Sequence, residues 1–262
     1  MNSNPFQQQK PISGVKKIIA VSSGKGGVGK STTAVNLAMA LSKLIGPDKK
    51  VGILDADIHG PSLPRMFGAL HQKPEIKGDK IQPIERYGLK IMSIGFLVEE
   101  DSAVIWRGPM LFKALDQFFN DLEWGDLEYL VLDLPPGTGD IPLSIAQKVP
   151  VFGSVTVTTP QNISLGDVKK SLDMWTRVNV PVLGVIENMS YLMTPSGESV
   201  QLFPKGDLNG YLDSKNIKKL GEIPFDPLLG LSCEVGIPLV ESHPDSPASK
   251  AFFSIAQTLI NL

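Results

Sequence analysis

The chain has 262 residues, 42% hydrophobic and 20% charged, with a net charge of −2 and a single cysteine, Cys233. This is the composition of a globular protein with a sizeable core. It excludes a disulfide framework, and the lack of basic excess argues against a nucleic-acid or anionic-membrane partner. The first ten residues have no basic-then-apolar signal pattern, and no apolar run is long enough to span a bilayer. The expectation is a cytoplasmic soluble protein.

Residues 1–13 are polar and Gln-rich and read as a disordered lead-in, with order from Lys16. The continuous apolar run Ile18 to Val21 suits a strand covered on both faces. A Gly-rich loop follows, then helical spacing of Val35, Ala38, Met39 and Leu41 within 31–44. Further strands are predicted over 50–55, 129–133, 153–158 and 182–187. Further helices are predicted over 141–148, 165–178 and 246–262. Segments 80–85 and 89–94 read as a hairpin insertion. Strands alternating with helices predict an α/β fold with a mostly parallel central sheet and helices on both faces. Residues 14–262 then form one domain.

Gly24, Lys25, Gly26, Gly27, Val28, Gly29, Lys30 and Ser31 match G-x-x-x-x-G-K-[ST], and Thr32 follows. The glycines let the backbone wrap closely and aim N–H groups at phosphate oxygens. The helix starting near Lys30 adds its positive end. Lys30 can reach the β- and γ-phosphates, and the Ser31 hydroxyl is placed for Mg²⁺. A P-loop binding ATP with Mg²⁺ is expected.

Lys25 is not required by an ordinary P-loop. The doubled-lysine form GKGGVGKST resembles the deviant Walker A group, the SIMIBI-type P-loop proteins. The resemblance implies that Lys25 crosses a dimer interface to the partner's nucleotide, and so implies an ATP-sandwich homodimer.

Two carboxylates, Asp55 and Asp57, close an apolar run at i and i+2. By resemblance Asp57 lies in the first switch and positions the attacking water, making it catalytic with Lys25 and Lys30, and Asp55 lies nearer the metal. Asp133 closes YLVLD and matches a Walker B acid, so Ser31, Asp55 and Asp133 are the expected Mg²⁺ set. In the segment Leu134 to Asp140, Gly137 can present a backbone N–H to the γ-phosphate. Asp140 reads as a helix N-cap rather than a catalytic acid. Asn188 is a candidate adenine contact, with Pro224 and its neighbours on the other side of the base, both mainly by resemblance.

The segments DADIHGPSLP (55–64), WRGP (106–109), DLPPGTGD (133–140) and ENMSY (187–191) together resemble the Mrp/ApbC branch over about residues 14–262. That resemblance implies slow ATP hydrolysis and the loading and transfer of iron–sulfur clusters, with assembly or client proteins as partners. The branch places C-x-x-C just after ENMSY, whereas Thr194 and Gly197 stand there in this chain. A cluster bridging two chains takes four thiolates, and two copies of Cys233 supply two. The expected protein is therefore an ATPase of this type without its own cluster ligands. The competing expectation is a spatial-positioning or partition-type ATPase acting on membrane or DNA. The C-terminal segment argues against it, because it carries only Lys250 among its apolar residues and reads as a core helix.

Overall fold

The computed structural model describes residues 9–57, 60–97, 108–194 and 196–262, with the backbone alone over 108–112. Ile58, His59, Trp106 and Arg107, part of the family segments above, lie outside the described residues. In chain order the elements are β1 (Val15–Ser23), α1 (Lys30–Ile45), β2 (Lys50–Asp55), α2 (Leu63–Met66), β3 (Ile76–Lys77), β4 (Lys80–Ile81), β5 (Ile84–Arg86) and β6 (Leu89–Ser93). There follow α3 (Gly108–Asn120), β7 (Leu127–Asp133), α4 (Asp140–Lys148), β8 (Gly153–Thr158), α5 (Asn162–Arg177) and β9 (Val182–Glu187). The chain closes with β10 (Leu192–Met193), β11 (Ser199–Val200), α6 (Leu208–Ser214), β12 (Lys219–Glu222), α7 (Pro227–Val235), α8 (Leu239–Ser242) and α9 (Pro247–Ile260).

Eight strands form one sheet in the order β12-β9-β8-β1-β7-β2-β6-β5, parallel except for the β5–β6 pair at one edge. The apolar runs seen in the sequence are its inner strands. β1, β7 and β8 are buried along most of their length because α1 and α9 pack on one face and α5 on the other. A satisfied polar cluster ties α5 to the sheet. Trp175 Nε1 donates to Ser22 Oγ at 3.0 Å, and Ser22 Oγ lies 3.3 Å from both Thr156 Oγ1 and Ser171 Oγ.

Three expectations are corrected. The hairpin expected from 80–85 and 89–94 forms as the antiparallel pair β5–β6, but it is not an insertion: β6 also pairs in parallel with β2, so both strands extend the edge of the main sheet, and residues 80–81 pair instead with 76–77 in the separate hairpin β3–β4. Residues 9–12, expected within a disordered lead-in, pack onto the domain. Ile12 is buried in the core, and the Lys10 N–H and the Gln9 amide bond the carbonyls of Lys148 and Ala146, closing the end of α4. Gly139 rather than Asp140 holds the α4 N-cap, and Asp140 sits in the first turn, where its charge suits the helix dipole. The C-terminal helix α9 buries Phe252, Ile255, Ala256 and Leu259, so its apolar face belongs to the core. Among the described residues no helix is long and apolar enough to cross a membrane.

Candidate functional site

The chain leaves β1 for β2 on one side, while β8 and β9 lie on the other, so the sheet order reverses beside β1. Such a switch point opens a crevice at the carboxyl ends of the strands, and residues 24–29 lie there. Among the described residues, no backbone N–H from Lys25 to Ser31 donates to a protein acceptor. Seven consecutive donors around a helix N-terminus make an anion cradle. The loop's shape is enforced by its surroundings. Gly24 lies against the Asp167 backbone, where a Cβ would come within 2.3 Å. Gly29 caps α1 at φ 79°, and a Cβ there would meet Asn188 Nδ2 at 2.3 Å. Gly26 and Gly27 are exposed, whereas Val28 is buried and anchors the loop. The Ser23 hydroxyl bonds the Lys25 carbonyl at 2.9 Å, and the Lys25 side chain is half-exposed, with no ion pair among the described residues.

Register carries the acidic partners to the same place. Asp55 on β2 pairs with Asp133 on β7 and with Ser93 on β6. Lys30 reaches across, its Nζ 2.5 Å from Asp133 Oδ1, 3.2 Å from Ser31 Oγ and 3.9 Å from Asp57 Oδ2. The three expected Mg²⁺ residues therefore converge, but their oxygens differ. Asp133 is fully buried and its Oδ2 has no partner, as suits a group that completes its bonding through a hydrated cation. Asp55 is already committed. Its Oδ1 accepts the Asp57 N–H at 3.1 Å, and its Oδ2 accepts from Ser62 N, Leu63 N and Ser93 Oγ at 3.0, 3.3 and 3.0 Å. It shapes the segment carrying Asp57 and the start of α2. Ser93, absent from the sequence reading, was detectable as the last residue of an apolar run resembling the other strand ends.

Burial first, and then the Asp133 carboxylate, push the Asp55 pKa up to about 7, against the pull of the Leu63 N–H, Lys30 and the Asp57 N–H. Between an unfolded value of 3.8 and about 7 the folded chain holds a proton that the unfolded chain has lost. Folding stability therefore falls as pH rises through this window, by on the order of 2–4 kcal/mol in total. Asp133→Asn removes the second of these causes and leaves burial, so its stability in EDTA without nucleotide is expected to fall less steeply over the same range. Urea melts of both proteins at pH 5, 6, 7 and 8 measure this, and equal slopes contradict it.

Gly137 is placed differently from the expectation. Its N–H donates to the Ser23 carbonyl at 2.8 Å, latching the Asp133–Asp140 segment onto β1, so contact with a γ-phosphate requires that bond to be exchanged. Asn188, buried after β9, donates Nδ2 to Val28 O at 2.9 Å and leaves Oδ1 without a partner. It joins Gly29, Thr32, Met189, Pro224 and Phe225 around a pocket of about 240 Å³. Lys219 anchors neighbouring Glu187 at 3.1 Å and holds this strand end.

Cys233 lies closer to the loop than its sequence position suggests, its Sγ 3.7 Å from Thr32 Oγ1. Burial pushes its thiol up, against the hydrogen bond with Thr32, which describes an inert packing thiol. At the expected cysteine positions, Thr194 Oγ1 bonds Ser196 Oγ at 2.8 Å and the Glu198 N–H at 3.1 Å, closing a turn between β10 and β11 that includes Gly197. Among the described residues there is no cluster of three His, Cys, Asp or Glu side chains able to hold a metal.

The profile of the family described as ParA, NUBPL iron-transfer P-loop NTPase, matches residues 14–260. The chain belongs to this NUBPL-type family. It is 52% identical over 258 residues to the iron-sulfur cluster carrier protein of Aquifex aeolicus, covering 97% of this chain and 70% of that one. Among solved structures it resembles the nucleotide-binding protein of Archaeoglobus fulgidus in complex with ADP and with Co. There the TM-score is 0.78 at 36% identity, over 95% of this chain and 96% of that one. The MinD cell division protein of Aquifex aeolicus shares the fold, with a TM-score of 0.67 at 22% identity over 94% and 98% of the two chains. The expected α/β P-loop architecture and the resemblance to the cluster-carrier branch are thus both met, and the chain is a P-loop nucleotide-binding protein of this family.

Proposed function

We propose that this NUBPL-type chain binds ATP with Mg²⁺, hydrolyses it slowly as a homodimer, and uses that cycle in the cytoplasm to transfer iron–sulfur clusters between other proteins without holding one on cysteines of its own. The observation that carries the nucleotide half is the convergence of Lys30, Ser31 and the unpaired, buried Asp133 Oδ2 beneath seven free loop N–H groups. Family membership supports the transfer half, since the Aquifex relative is a cluster carrier.

The loop N–H groups and Lys30 hold the phosphates. Ser31 and Asp133 would hold Mg²⁺, which would neutralise the negative charge that develops on the phosphates. Asp57, within 3.9 Å of Lys30, orients the attacking water. Asp55 keeps Asp57 in place through its four accepted hydrogen bonds. Lys25 of one protomer reaches the partner's nucleotide. Transfer is tested by loading a separate scaffold protein with a [4Fe–4S] cluster and following its passage to an apo-ferredoxin. ATP is expected to accelerate passage in the presence of this chain, and no ATP-dependent acceleration overturns the transfer role. Anaerobic reconstitution with iron and sulfide is expected to leave the chain itself without a stoichiometric cluster; a stable cluster per dimer contradicts the loss of the ligand set.

The purine specificity follows from Asn188. With Nδ2 committed to Val28, only its oxygen remains for a base. An oxygen acceptor matches the exocyclic amino group of adenine and repels the O6 of guanine. Asn188→Leu is expected to weaken ATP binding and reduce the preference for ATP over GTP by about tenfold, roughly one unsatisfied hydrogen bond. Competition titrations with both nucleotides check this; an unchanged preference removes Asn188 from base recognition.

A further inference from the structure

The segment Pro224 to Pro227 has two sides. One lines the purine pocket, and the other lines a separate groove of about 690 Å³ between α7, β10 and the loop at 242–247. The groove floor is apolar, with Leu192, Met193, Phe225 and Leu228. Phe225 is fixed there by its N–H on the Tyr191 carbonyl at 2.7 Å, yet it remains 41% exposed. The lining carboxylates are Asp226, whose Oδ1 also accepts the Leu228 N–H at 2.9 Å, and Asp245, with His243 beside them and no lysine or arginine among the described lining residues.

α7 continues this surface. Leu229 and Ser232 face inward and are buried, but Leu228, Leu231 and Val235, spaced i, i+3 and i+7, are 38%, 57% and 58% exposed. A helix apolar on both sides belongs between two partners, and the described chain supplies one. Contiguous exposed apolar surface rimmed by polar groups marks an interaction site. The charge selects the occupant. A second copy placed symmetrically on the groove would set Asp226 and Asp245 against themselves, whereas a cationic segment would satisfy both.

We propose that this groove docks an apolar, lysine- or arginine-bearing segment of a client protein. The proposal rests on the transfer role above and deepens it. A client seated there lies beside Thr194 of the turn and shares the four-residue wall with the nucleotide pocket. Occupancy of one side can thereby be felt on the other.

The test uses the full chain and fluorescence anisotropy with a labelled 14-residue peptide of Leu, Phe and Lys, a twin with Glu for every Lys, and a twin with Ser for every Leu and Phe. The Lys peptide is expected to bind at least about tenfold more tightly than either twin, the scale of one buried apolar side chain or one desolvated charge contact. Leu228→Ser and Asp245→Lys should each weaken it by about fivefold or more while leaving ATP affinity unchanged. Equal binding of the Glu twin, or variants that bind the Lys peptide as the parent does, overturns the proposal. So does loss of self-association in Leu228→Ser by sedimentation velocity, which assigns the groove to a second copy. If the peptide binds as expected while ATP-stimulated transfer is absent, the groove stands and the transfer role falls.

Discussion

Lys30→Ala is expected to lower ATP affinity by about 10²- to 10³-fold, the loss of two charge-assisted hydrogen bonds to phosphate at about 1.5–3 kcal/mol each with some compensation. The same change should also weaken the fold. Lys30 pairs with Asp133 and faces Asp57 at 3.9 Å, and its charge also acts on Asp55, which register places beside Asp133; Asp55 and Asp133 are both fully buried. Removing one partner of a buried pair typically costs about 3–5 kcal/mol, here reduced because one carboxylate can take up a proton. Calorimetric titration with ATP, beside urea melts at pH 5 and pH 8, separates the two effects. The affinity loss should persist at pH 5, where protonation relieves the carboxylates, while the stability loss should be concentrated at pH 8. An ATP affinity within threefold of the parent contradicts the role of Lys30.

Lys25→Ala is expected to behave in the opposite way. It should bind ATP within a few-fold of the parent yet lose at least about 10²-fold in turnover, an effect of the kind produced when a cation supplied from a neighbouring subunit is withdrawn from the transition state. The structural basis is that Lys25 is held by its backbone and not by its side chain. Its carbonyl is tied to Ser23, while its ammonium makes no ion pair among the described residues. A half-exposed cation at the crest of a phosphate loop can therefore act on a second nucleotide. Phosphate release and light scattering with a non-hydrolysable ATP analogue measure turnover and dimerisation together. Normal hydrolysis by the variant removes the cross-subunit role.

The contrast between these two lysines was legible from residues 24–32, because the phosphate cradle is contiguous in the chain and its chemistry is written in one short segment. The acids were legible as strand ends and not as a site. Asp133 could be proposed for Mg²⁺ from its place at the end of YLVLD and Asp55 from the resemblance, but the division between them could not. Asp55 spends its lone pairs on Asp57, Ser62, Leu63 and Ser93, and Asp133 keeps an oxygen free. Gly137 was chosen for its backbone N–H, and only the tertiary contact shows that Ser23 already holds it. The hairpin of β5 and β6 was legible, but its place was not, because a strand turning directly into the next looks the same in sequence whether or not it joins the main sheet.

By itself the sequence determined the P-loop, the alternation of strands and helices, the second lysine and the loss of the cysteine pair, all properties of short runs with their own local periodicity or chemistry. The tertiary structure decided what parallel register and crossover connections bring together across the chain. It set Asp55, Ser93 and Asp133 level across three strands, placed Asn188 behind Gly29 and Cys233 beside Thr32, and left an acidic, apolar groove on the far side of the wall that lines the pocket beside Gly29 and Asn188. Those partners are separated by tens to hundreds of residues, so no local pattern encodes them; packing of α1, α7 and the strand ends against one another does.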